Sequence, residues 1–212
     1  MGRRAHGRAG RDGAAQRDVT VADDGHALLH ELRLRGMVSA VACAAPDALC
    51  ATGLAARKGT FLVLTSAGRE ANTQWARLPP GSEQESAARR AYDQFLAMNA
   101  EFLQISTDWQ VRPGNVPNDH RDTEYDWGVL DRLAAIDERT GPILRRLGNE
   151  VERFAGYRGR LRDALRRVQD GEHDWFLSPT CDSYHTVWMQ LHEDLLLALG
   201  LARADEPPGP AA

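Results

Sequence analysis

The stretch GLAARKGTFLVLTSAGRE, from Gly53 to Glu70, decides how the front of this chain folds. Lys58-Gly59 is a turn signal, because glycine enters the left-handed backbone region without a Cβ penalty. The run that follows, Thr60 to Leu64, is rich in β-branched, aromatic and aliphatic residues, so a small hairpin is predicted around Gly59. Thr65 or Ser66 then caps a helix that opens SAGREANTQWARL. That helix stops before Pro79-Pro80, since a proline drives the residue before it out of the helical region. The two prolines and Gly81 mark a domain boundary.

Working upstream, Asp23 and Asp24 cap a helix running to about Arg35, with Leu28, Leu29 and Leu32 at helical spacing and Gly36 just past its end. In VSAVACAAPDALCAT, Val38 to Thr52, Ser39 caps one short helix and Pro46 sits at the first turn of another. The start, MGRRAHGRAGR, has twin arginines with no apolar stretch behind them, and His6 stands where a myristoylation signal wants Ser or Thr. Residues 1–23 are read as a disordered basic arm, and 24–78 as the first folded domain.

Downstream of the boundary, Ser82 and Glu85 have capping-box spacing. The long helix they open shows Tyr92, Phe95, Leu96, Phe102, Leu103 and Trp109 every three or four residues. Gln110 to Asp122 holds two prolines and a glycine and is read as an ordered loop. Trp127, Leu130, Leu133, Ala134 and Asp137 share one face of the next helix. Ile143, Leu147, Val151 and Phe154 share one face of another, with Gly141-Pro142 between the two. Leu161, Leu165 and Val168 mark a further helix, and the last runs from about Asp182 to Leu199. Residues 82–201 therefore form an all-helical domain, and 202–212 a frayed tail. No internal repeat is visible.

Capping and periodicity signals make this a mainly α protein, and its bulk composition is that of an ordinary globular one. At 212 residues, 42% apolar and 26% charged, the chain can bury a core. Its longest apolar runs, around Leu62 and Leu195, fall short of the roughly 20 residues a membrane helix needs. Cys43, Cys50 and Cys181 form an odd set without CxxC spacing, which suggests neither a disulfide framework nor a zinc ribbon and fits a reducing cytoplasm. Lys58 is the sole lysine, a bias typical of GC-rich bacterial genomes. Residues 1–78 carry 11 Arg and Lys against 7 Asp and Glu, a net of +4, while 79–212 carry 15 against 23, a net of −8. A basic front half suits phosphate contact, and an acidic rear half is held away from DNA. There is no nucleophile elbow, P-loop or GxGxxG.

The order helix, two short helices, hairpin, helix is the plan of a winged helix-turn-helix, in which the third helix enters the major groove and the hairpin touches the backbone. Gly53-Leu54, Arg57-Lys58-Gly59 and Leu64-Thr65 with Gly68-Arg69 resemble the wing of bacterial MarR-like regulators. The resemblance implies a DNA-binding set of Ser39, Thr52, Arg57, Lys58 and Arg69, in a homodimer. Arg57 and Lys58 at a hairpin tip reach phosphates on either side of the minor groove, giving affinity without sequence preference. The segment departs from the pattern in one respect. Only residues 37–52 separate Gly36 from Gly53, short for two helices and their turn, and they offer Ser39, Asp47 and Thr52 in place of the Arg, Gln or Asn that read base edges.

TDWQVRP (107–113), PNDH (117–120), RFAGY (153–157) and DSYHTVWMQLHEDLLLALG (182–200) resemble a helical domain that follows such winged helices in a group of actinobacterial proteins. In this half, Trp109, Trp127 and Trp188, with Tyr184, His185 and His192 as polar groups, are read as the walls of a small-molecule pocket. The same side chains also suit the core of a helical bundle. His185 and His192 lie on one stripe of the last helix, about 10 Å apart along its axis, too far to share one ion. No catalytic residue, metal or cofactor is assigned. These readings describe a cytoplasmic, DNA-binding transcriptional regulator whose helical domain dimerises or senses a small molecule. The alternative is a small-molecule-binding protein or enzyme of specialised metabolism that carries a degenerate winged helix.

Overall fold

A computed structural model describes residues 25–43 and 46–206. The arm at 1–23, the Asp23-Asp24 cap and residues 207–212 of the tail lie outside the described residues. The chain divides into two compact units between Ala76 and Arg77, just before Pro79-Pro80.

The first unit opens with α1 (25–35), closed by Gly36 at φ +76. Strand β1 (Val38–Ser39) follows, then α2 (Pro46–Ala51), β2 (Ala55–Lys58), β3 (Phe61–Leu64) and α3 (Ser66–Ala76). The three strands form an antiparallel sheet in the order β1-β3-β2. Gly59, at φ +63, makes the expected turn between β2 and β3. Thr65 is the cap: its Oγ1 accepts from the Gly68 N–H at 3.0 Å and donates to the Gly53 carbonyl at 2.8 Å, so one hydroxyl joins the start of the hairpin to α3. Leu29, Leu32, Ala40, Leu49, Ala55, Leu62 and Leu64 make the core. His26 stacks on Trp75 and the Asn72 amide meets the His30 ring at 3.2 Å, fastening α1 to α3.

Two expectations for this segment change. Ser39 caps no helix; it lies in β1 opposite Phe61. Among the described residues, the six-residue α2 is the single helix between β1 and β2, with Pro46 at its first position. A strand that uses residues 38–39 leaves too little chain for two helices and a turn.

The second unit is a four-helix bundle of α4 (Glu83–Gln110), α5 (Thr123–Glu150), α6 (Tyr157–Gln169) and α8 (Tyr184–Leu199), with the short α7 (Asp174–Leu177) before the last. Helix α4 packs on α5 and α8, and α6 on α5 and α8. Ser82 caps the helix as expected, accepting from the Glu85 N–H at 3.0 Å, while the Glu85 carboxylate accepts from the Gly81 N–H at 2.6 Å in place of the Ser82 N–H of a capping box, which bonds the Pro79 carbonyl. The interior holds Phe102, Leu133, Ile136, Phe154, Leu161, Phe176, Val187 and Trp188. A buried carboxylate, Asp194, accepts from Arg153 Nε at 3.0 Å and Tyr157 O–H at 3.1 Å, tying α8 to the segment entering α6. Among the described residues, no helix is long and apolar enough to cross a membrane.

Here too the structure differs from the sequence reading. Gly141-Pro142 does not divide two helices: α5 runs through both. Pro142 and Glu138, the residue whose carbonyl loses its N–H partner, are both exposed, so water replaces that bond. The 110–122 loop contains a two-stranded hairpin, β4 (Val111–Arg112) with β5 (Val116–Pro117).

Candidate functional site

In the first unit the hairpin carries the basic residues. Arg57 lies in β2 and Lys58 ends it, both exposed beside Gly59. Ser39, Phe61 and Lys58 stand in one row across the three strands, with Phe61 42% exposed between the other two. Arg57 is engaged locally, its Nη2 2.8 Å from Asp47 Oδ1. Both groups are solvated, so the pair is weak and a phosphate can compete for the guanidinium. The Thr52 hydroxyl donates to the Leu49 carbonyl at 2.6 Å, closing α2. Arg69 is exposed in the first turn of α3.

The six residues assigned to a pocket divide into separate groups. Tyr184 and Trp188 are wholly buried and, with His185, stack around Phe102. Trp188 Nε1 donates to Asn99 Oδ1 at 2.9 Å. The Tyr184 hydroxyl meets Asp137 electrostatically but outside hydrogen-bonding geometry, and burial pushes both groups' pKa up. Burial pushes the His185 imidazole down, favouring its neutral form. Two turns beyond His185, His192 packs on Phe95 and its Nε2 sits 2.6 Å from Glu206 Oε1. Trp109 is part of a different cluster, and Trp127 is 50% exposed on α5.

That different cluster is the most chemically organised place in the second unit. It is built where the end of α4, the β4–β5 hairpin, the first turn of α5 and the segment before α7 meet. Asp122 caps α5, accepting from the Tyr125 N–H, and pairs with Arg112 at 2.5 Å; the N–H bond and the arginine together hold its pKa below the ordinary value despite desolvation. The Tyr125 hydroxyl donates to the Asp108 carbonyl at 2.8 Å, fixing α5 to α4. Within this frame the Asn118 backbone N–H bonds Gln110 O at 2.8 Å. Its amide reaches Trp109 O at 3.1 Å and Asp126 Oδ1 at 2.7 Å.

His120 completes the cluster. Its backbone lies at φ +56, a left-handed conformation that costs a side-chain-bearing residue on the order of 1–3 kcal/mol. Its Nδ1 lies 3.1 Å from Asp126 Oδ2. Both Asn118 amide hydrogens are already directed at oxygens, and a carboxylate only accepts, so the Nδ1 proton belongs to the Asp126 bond. In the neutral ring the other nitrogen, Nε2, then carries the lone pair. The ring packs against Trp109 at 4.4 Å and His173 at 4.8 Å between centroids, while Asp126 is only 6% exposed. A tautomer fixed by a buried carboxylate leaves a positioned acceptor. Among the described residues, no group of three or more His, Cys, Asp or Glu is arranged to hold a metal.

Of these residues the sequence reading named Trp109 for its wall and passed over Asn118, His120, Asp126 and His173 as site residues. One signal was present: Asp126, Leu130, Leu133 and Asp137 follow helical spacing, so Asp126 shares the buried face, whereas Trp127 is turned about 100° away. No protein-family model, curated protein or solved structure matches this chain.

Proposed function

We propose that this protein is a DNA-binding regulator, acting as a homodimer, whose helical unit senses a small molecule. The observation that carries the reading is the β2–β3 hairpin, with Arg57 and Lys58 exposed at its tip in a β1-β3-β2 sheet flanked by α1 and α3. A hairpin between helices supports the winged-helix reading, and a cationic hairpin tip is suited to phosphate contact. With one short helix in place of two, the wing supplies mostly backbone affinity, and α3, through Arg69, adds to it.

The experiment is binding of the purified chain to the DNA flanking its own gene across a salt series. A steep fall of affinity with salt, together with preference over random DNA, is the expected result. Absence of binding at low salt overturns the reading. A second reading, a small-molecule-binding protein or enzyme that keeps a degenerate winged helix for docking, is favoured by the six-residue α2 and by the engagement of Arg57 with Asp47. It predicts no DNA binding while the helical unit still takes a ligand.

A further inference from the structure

We propose that His120, with Asn118 and Asp126 behind it and Trp109 and His173 beside it, is a binding site for small, neutral, planar molecules that present an O–H or N–H donor. The proposal rests on the ligand-sensing half of the reading above and not on its DNA half.

The first argument is economy of structure. The hairpin is already tied to the bundle by Asn118, through its backbone bond to Gln110 and its amide bonds to Trp109 and Asp126, and by the Arg112–Asp122 pair. His120 adds its own bond to Asp126 and its packing on Trp109, but it does so from strained backbone and spends a buried carboxylate on its orientation. What it provides beyond these is Nε2, an acceptor to which no described residue donates, on a ring still 26% exposed.

The second argument sets the ligand's class. Trp109, His120 and His173 lie with centroids 4.4 to 5.4 Å apart, and His173 is exposed at the edge of the cluster. Trp109 is buried beneath the other two at 4% exposure, so the surface open to a ligand is that of the His120 and His173 rings, which suits a flat partner. Arg112 is held by Asp122, and the charge nearest the ring is the Asp126 carboxylate, so the site disfavours an anionic ligand. A neutral donor fits: its hydrogen bonds to Nε2 while its ring covers the aromatic edge.

The test uses the full chain with nitrogen-15-labelled histidine, titrated with 4-methylphenol, with indole, and with toluene as a flat probe lacking a donor. Both donors should move the His120 Nε2 resonance saturably, with toluene at least about tenfold weaker, a difference of roughly 1.4 kcal/mol. His120→Asn, which keeps a residue tolerant of the left-handed backbone, should abolish saturable binding of both donors. The proposal is overturned by the absence of a saturable shift with either donor, by toluene binding as tightly, or by donor binding that survives His120→Asn. Where that variant does not fold, the comparison of donors with toluene on the unaltered chain decides. Failure to bind DNA alongside intact donor binding removes the regulator reading alone and supports this one.

Discussion

A Cβ placed on Gly68 would stand 1.9 Å from the Leu54 carbonyl oxygen, so the glycine in the Leu-Thr-x-x-Gly-Arg run is there because α3 crosses the start of β2 at backbone contact. Gly68→Ala must push that helix away from the hairpin, and we expect a loss of about 1–3 kcal/mol, read by chemical denaturation of the full chain. Gly128 offers the opposite case. It is exposed within α5 and a Cβ there meets nothing within 4 Å. Gly128→Ala should stabilise by roughly 0.5–1 kcal/mol, by restricting the unfolded chain and removing a poor helix former. Equal effects of the two substitutions would contradict the packing described. Both are glycines in helices, and the sequence around neither says which is crowded.

The hairpin is the element on which the DNA reading stands. Arg57 and Lys58 are assigned to phosphates, so replacing both with Ala should weaken binding to all DNA sequences alike and lower the salt slope by about 1–2 units. A drop confined to specific DNA would mean that they read bases. The wing was legible in sequence because its parts are local: a left-handed glycine at the turn, a β-rich return strand and a Thr cap act within a few residues of one another. Helix α5 shows where local reading stops. Gly141-Pro142 is a breaker pair by propensity, yet the helix continues because Gly141 is buried where Arg158 of α6 lies against it and Pro142 faces water, a distinction that depends on the neighbouring helix.

At the scale of the helical unit, the Glu206 carboxylate fastens a segment beyond the last helix to two helices of the bundle. Tyr92 of α4 and His192 of α8 both approach Glu206 Oε1 at 2.6 Å. Burial would raise the Glu206 pKa, but the hydrogen bonds from Tyr92 and His192 outweigh it and hold the group below its ordinary value. A carboxyl with a folded pKa below the unfolded one stabilises the fold above the unfolded value, near pH 4.3, and that contribution is lost as pH falls through the folded value. Glu206→Gln should therefore lower stability by roughly 1 kcal/mol at pH 7, with the difference closing toward pH 3. A pH-independent difference in melting temperature would show that the contact acts by packing alone. By itself the sequence determined the mainly helical content, the hairpin at Gly59, the caps at Thr65 and Ser82, and the break near Pro79, because each is set by backbone preferences and hydrogen bonds within one or two turns. Only the tertiary structure decided that Trp109 stands with His120 and not with Trp188, that Trp127 faces solvent, and that Asn118, Asp126 and His173 gather around one imidazole. Those groupings depend on how α4, α5 and the segment before α7 converge, and contacts between residues far apart in sequence leave no periodicity to read.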